Sequence, residues 1–201
     1  MCYSPSQTAL SLSIISGELH NTSKLLTYLP KNLRERSPSF LRTFKHPPVK
    51  NRNHVITGEV DLPSDGTSGV IVAQGGIYSG YALYLVDGEL RYEYNAFNES
   101  RYQVRSSKKV PKGKAEVKAV YKVGKPNGDG PDRGTATVTL FINEEQVGEG
   151  KIGRTVPGVY SISETFDVGV DTGTPVSKDY TRTEGNDLRD HVTKVTVKTD
   201  D

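Results

Sequence analysis

A chain of 201 residues with 26 basic and 24 acidic side chains carries a net charge of only +2, too weak a field to argue for nucleic acid or an anionic membrane as partner. Its single cysteine, Cys2, excludes an internal disulfide, and no apolar run is long enough to span a bilayer as a helix. The length suits one domain with a closed core, and twenty glycines with eleven prolines imply many turns.

Residues 1–48 read as a poorly ordered or weakly helical arm and linker. Leu25, Leu26, Leu29 and Leu33 have loose helical spacing, but Pro30 interrupts it, and Pro47-Pro48 is extended linker. The stretch from Thr8 to Ile15 lacks the basic leader of a signal peptide, and serines interrupt it.

Residues 49–199 read as one β domain, and from Asn53 the hydrophobic period becomes two. His54 to Val60 is a first strand, ended by Pro63 and Ser64-Asp65-Gly66. Gly69 to Gln74 is apolar on both sides, as a doubly covered strand would be. Tyr81 to Val86 and Glu89 to Ala96 flank Asp87-Gly88, a pair suited to a type I′ hairpin turn. Tyr102 to Ser106 is short. In the next strand Val117, Ala119, Tyr121 and Val123 share a face opposite Lys118 and Lys122. A polar loop over 124–133 leads to Ala136 to Ile142, which Asn143-Glu144-Glu145 turns into Gln146 to Ile152. Thr165 to Val170, a long polar loop over 171–190 and His191 to Lys198 complete the chain. Nine or ten short strands without a helix predict an all-β fold, an antiparallel two-sheet sandwich of jelly-roll or lectin-like kind, with a closed barrel as the alternative.

Four stretches resemble the C-terminal region of bacterial arylsulfatases. They are Gly69-Val70-Ile71-Val72-Ala73-Gln74-Gly75-Gly76, the hairpin from Leu83 to Asn95, the hairpin from Gly134 to Gly150, and Phe166-Asp167-Val168-Gly169-Val170-Asp171-Thr172-Gly173-Thr174-Pro175-Val176. The resemblance spans roughly residues 50–198 and implies a non-catalytic sandwich that packs on a sulfatase catalytic domain, in cis or in trans. The sulfatase nucleophile needs a Cys-x-Pro-Ser-Arg signature, whereas the N-terminus reads Cys2-Tyr3-Ser4-Pro5-Ser6-Gln7, so no catalytic residue is nominated.

Other chemistry is sparse. His20, His46, His54 and His191 lack zinc-ligand spacing, and Gly75-Gly76 has no following helix to make a phosphate cradle. Asp167, Asp171 and Asp179 gather hard oxygen ligands in one segment, which makes them calcium candidates; no other cofactor is implied. Asn98-Glu99-Ser100 matches the glycosylation sequon. Tyr78, Tyr81, Tyr84, Tyr92, Tyr94, Phe97 and Tyr102 crowd one hairpin region, as core or as a sugar-stacking platform. Because Tyr81 to Val86 is apolar on both faces, the second face needs cover. That reasoning nominates Tyr78, Tyr84 and Phe97 as a docking surface and predicts self-association when it is bare. A carbohydrate-binding module of lectin-like type is the alternative function.

Overall fold

A computed structural model describes residues 23–28, 47–126, 134–158, 160 and 166–200. All regular structure among them is β, in two antiparallel sheets. The first sheet runs in the order β1 (Ser23–Tyr28), β11 (Val192–Asp200), β2 (His54–Leu62), β7 (Gly113–Val123), β8 (Ala136–Ile142), β9 (Glu145–Ile152). The second runs β10 (Phe166–Val168), β3 (Gly69–Gly75), β4 (Gly80–Val86), β5 (Glu89–Ala96), β6 (Ser100–Lys109). Two separate sheets make this a lectin-like sandwich rather than a closed barrel.

Alternation decides which residues fill the space between the sheets. Ile56, Val117, Ala119, Val138, Leu140, Val195 and Val197 come from the first sheet; Val72, Tyr81, Leu83, Leu85, Leu90, Tyr92 and Tyr94 come from the second. The tyrosines form a stacked group. Tyr81 lies 6.0 Å from Tyr92 between ring centres, and Tyr160 meets Tyr81 and Tyr94 edge-on. His54 joins them, stacked on Tyr121 at 4.5 Å.

The hairpin turns follow the expected chemistry. Asp87 and Gly88 both have positive φ, 49° and 81°, which matches the right-handed twist of β4 and β5. Asn143 and Glu144 do the same between β8 and β9, at 47° and 69°. A third such pair, Phe97 and Asn98 at 58° and 57°, turns β5 into β6.

Within the N-terminal arm, Ser23–Tyr28 pairs antiparallel with β11, Ser23 opposite Asp200 and Tyr28 opposite Val195. This segment is therefore an edge strand of the first sheet, not the loose helix that the leucine spacing suggested, because main-chain pairing with an open edge needs no particular side-chain period. Cys2, His20 and His46 lie outside the described residues.

The outer face of the second sheet has its own cover. Residues 169–190 form a strap across β3 and β4, burying Val70, Ala73, Ala82 and Tyr84 beneath Val176 and Tyr180. No helix of the described residues is long and apolar enough to cross a membrane.

Candidate functional site

The site lies where the strap ends. Beyond it, the outward side chains of β5 and β6 face each other in rungs: Arg91 opposite Arg105, Glu93 opposite Gln103, Asn95 opposite Arg101. Strand alternation turns these outward while Leu90, Tyr92 and Tyr94 turn inward.

A hydrogen-bonded cluster fastens the strap to these rungs. The Tyr84 hydroxyl lies 3.1 Å from Glu93 Oε2, 2.9 Å from Asp179 Oδ2 and 3.0 Å from Ser177 Oγ. Gln103 Nε2 donates to the Tyr84 hydroxyl, to Asp179 and to Glu93 at 2.7, 2.8 and 3.1 Å. Arg91 bridges Glu89 and Asp179 at 2.7 and 2.6 Å, and Arg101 pairs with Glu93 at 2.9 Å. Three carboxylates, Glu89, Glu93 and Asp179, and two guanidiniums, Arg91 and Arg101, thus pair around one phenol, which is what permits charges this well buried. Burial, then the charge of Glu93, drives the Tyr84 phenol well above its ordinary range. Burial opposes ionisation of Asp179, but hydrogen bonds from Arg91, Tyr84 and Gln103 outweigh it and hold that carboxyl below its usual value.

These contacts correct one expectation and locate the residues of another. Tyr84 is fully buried, so it is no part of a docking surface: the chain covers the second apolar face of β4 with its own strap. The case for self-association rested on that face being bare. Asp167, Asp171 and Asp179, the calcium candidates, are each engaged by a different set of protein donors. Asp167 accepts from the Thr172 amide and hydroxyl, Asp171 from the Val176 amide and Tyr180 hydroxyl, and Asp179 from Arg91. Among the described residues no three carboxylate, histidine or cysteine side chains converge on a common centre.

Tyr78 and Phe97 do stand at the surface, 73% and 38% exposed, with Ile77 at 41%. They sit on adjoining turns. Gly75 (φ 98°) and Gly80 close the β3–β4 turn so tightly that a Cβ on either would strike the opposite backbone, and this throws Tyr78 outward. Asn95 Nδ2 donates to the Gly76 and Ile77 carbonyls at 3.0 and 2.9 Å, and its Oδ1 accepts from the Asn98 amide at 3.0 Å. Arg101 ties the same turns together, donating to Asn98 Oδ1 at 3.0 Å and to the Val176 carbonyl of the strap. Arg154 caps the group, 4.9 Å above the Phe97 ring and paired with Glu99 at 2.6 Å. The result is a rigid end bearing exposed aromatic rings, continuous with a polar strip along β6.

The sequence pointed to Tyr78 and Phe97 but not to Asn95, Arg101, Gln103 or Arg105. Their outward position was readable from strand alternation; the turn, strand and strap groups they bond were not. A cleft of about 270 Å³ at the other end, lined by Lys108, Lys109, Pro111, Ile142, Asn143, Glu145 and Val147, is less organised. Its one ion pair, Lys108 with Glu145, is over half exposed at both partners.

No protein-family model matches the chain, and no curated protein does. Solved structures similar to it include the CBM40 of the Ruminococcus gnavus IT-sialidase bound to α2,6 sialyllactose, with a TM-score of 0.48, 12% identity and coverage of 73% of this chain and 76% of that one. The same module bound to α2,3 sialyllactose gives 0.46 and 14%, over 73% and 75%. A leech intramolecular trans-sialidase gives 0.45 and 9%, over 74% of this chain and 21% of that one. The sialyllactose belongs to the Ruminococcus protein; the likeness is one of chain course.

Proposed function

We propose that this domain is a carbohydrate-binding module that takes an oligosaccharide along the outer edge of the second sheet. One observation carries the reading: the exposed Tyr78 and Phe97 rings stand on turns fixed by Asn95 and Arg101, at the end of a strip of outward amide and guanidinium groups. A pyranose presents an apolar face that stacks on an aromatic ring and hydroxyls that need planar donors and acceptors. The strip offers both. From the Arg91–Arg105 rung to the Ala96–Ser100 rung is roughly 17 Å of strand, a length that favours a chain of sugars over a single one. Rigid turns suit the task, since little ordering accompanies binding.

The test is an oligosaccharide array probed with the purified chain and with Tyr78→Ala. The reading expects a small set of bound sugars, all lost in Tyr78→Ala while the melting temperature stays put. Undiminished binding by that variant would remove the site.

The arylsulfatase resemblance supports a second reading, an accessory domain that packs on a sulfatase catalytic domain. Its four motifs fall on β3, the β4–β5 hairpin, the β8–β9 hairpin, and β10 with the start of the strap. The Ile77–Tyr78–Phe97 end would then be the docking face. Co-purification with a sulfatase catalytic domain, abolished by Tyr78→Ala, is its expected result.

A further inference from the structure

We infer that the strip seats an anionic group of its glycan, a carboxylate or a sulfate ester, on Arg105 beside Arg91; this rests on the carbohydrate-binding reading. The evidence is an apposition that folding alone disfavours. Arg91 and Arg105 stand directly opposite on one face of β5 and β6, where like charges destabilise the pair. Regular pairing runs back from the β5–β6 turn, from Ala96 opposite Ser100 to Arg91 opposite Arg105, so the hairpin register itself holds the two arginines together; the ladder turns irregular only beyond them, where Glu89 pairs with Lys109.

The two arginines are treated differently. Arg91 is 13% exposed and neutralised by Glu89 and by Asp179 of the strap. Arg105 is exposed and has no carboxylate partner among the described residues. Its Nε donates to Gln103 Oε1 at 2.5 Å, which steadies the guanidinium and leaves the paired Nη groups as donors. A fork of that kind matches the two oxygens of a carboxylate or of a sulfate ester. The surrounding charge agrees: Arg91, Arg105 and Lys109 stand against Glu89 and Asp179, three cations to two anions. The Arg101–Glu93 pair beyond them is internally neutral.

The experiment has two arms on the full chain and on Arg105→Gln. In the first, sulfate, acetate and chloride are compared at equal ionic strength by thermal shift and by the Arg105 side-chain NMR resonances. Sulfate and acetate should raise the melting temperature of the parent and move the Arg105 resonance, chloride should do neither, and the variant should be silent to all three. Without added anion the variant should melt no lower than the parent, since it loses a repulsion. In the second arm, one oligosaccharide backbone is offered in neutral, carboxylated and sulfated form. The parent should prefer a charged form by about tenfold, the energy of one good charge-assisted contact, and the choice between carboxylate and sulfate identifies the group. Arg105→Gln should bind all three alike. Equal affinity for neutral and charged forms in the parent would overturn the inference and leave the module reading standing. Anion effects in the first arm without any glycan binding would overturn the module reading and leave only an anion site at Arg105. An unaltered anion response in Arg105→Gln would dismiss the seat.

Discussion

The two faces of β4 are equally apolar in sequence and are buried by different means. Tyr81, Leu83 and Leu85 face the first sheet and share one large core with it. Ala82, Tyr84 and Val86 face a strap without regular structure, held by polar contacts around a core of six buried residues. The inner face is secured by many small dispersion and transfer terms spread over both sheets. The outer face depends on a few hydrogen bonds whose loss is felt singly. A strap of this kind can therefore open by itself, whereas the inner face opens only with the whole domain.

The largest effects separate those two modes. Leu83→Ala should cost about 2–5 kcal/mol, and Tyr84→Ala about 3–5 kcal/mol, by denaturant unfolding. Hydrogen exchange should tell them apart. Leu83→Ala should speed the slowest amides of both sheets together. Tyr84→Ala should additionally free the Asp171, Val176 and Asp179 amides, which bond within the strap. Equal patterns in both variants would make the strap part of the main cooperative unit.

Two titrations sharpen the contrast, because they run in opposite directions. Burial holds the His54 imidazole at about 4, well below its ordinary 6.5, against the opposing hydrogen bond to the Arg52 carbonyl. A lowered folded value means stability that is complete above pH 6.5 and lost as the pH falls toward 4, up to about 3 kcal/mol. His54→Phe should flatten that limb of a stability-against-pH curve. Asp171 is the reverse case. Burial, and then the charge of Asp167, raises it to about 6 from an ordinary 3.8, despite hydrogen bonds from Val176 and Tyr180. Its contribution is complete below about pH 4 and lost as the pH rises through 6, of the order of 2–3 kcal/mol. Strap amides should then exchange more slowly, relative to the sheets, at pH 5 than at pH 7.5, and Asp171→Asn should erase the difference. The smallest effect belongs to Arg105→Gln, which should stabilise the unliganded domain by about 0.2–0.5 kcal/mol.

Much of this was legible in the sequence, and the limits have physical causes. Period-two alternation located strands such as His54–Leu62 and Ala136–Ile142, because each has one face on the core. Asp87-Gly88 gave its turn through the positive φ those residues tolerate, and Asn143-Glu144 was read as a turn and adopts the same conformation. Phe97-Asn98 adopts the same conformation, but a phenylalanine there is no turn signal. The doubly apolar strand correctly demanded a second cover; its identity was hidden because the strap has no period and sets only Val176 and Tyr180 against that outer face. The site was half visible. Tyr78 and Phe97 stood out as aromatics, while the Arg91–Arg105 rung depends on the register set by the Phe97-Asn98 turn, which no turn residue at Phe97 announces.

The most direct test of a glycan-binding face is to map the bound sugar. Titrating the best oligosaccharide from the array into isotope-labelled protein should shift the resonances of Ile77, Tyr78, Phe97, Asn98, Gln103 and Arg105, and leave those of β1, β2, β7 and β11 unmoved. Shifts confined to the first sheet, or to the cleft beside Lys108 and Asn143, would contradict the account.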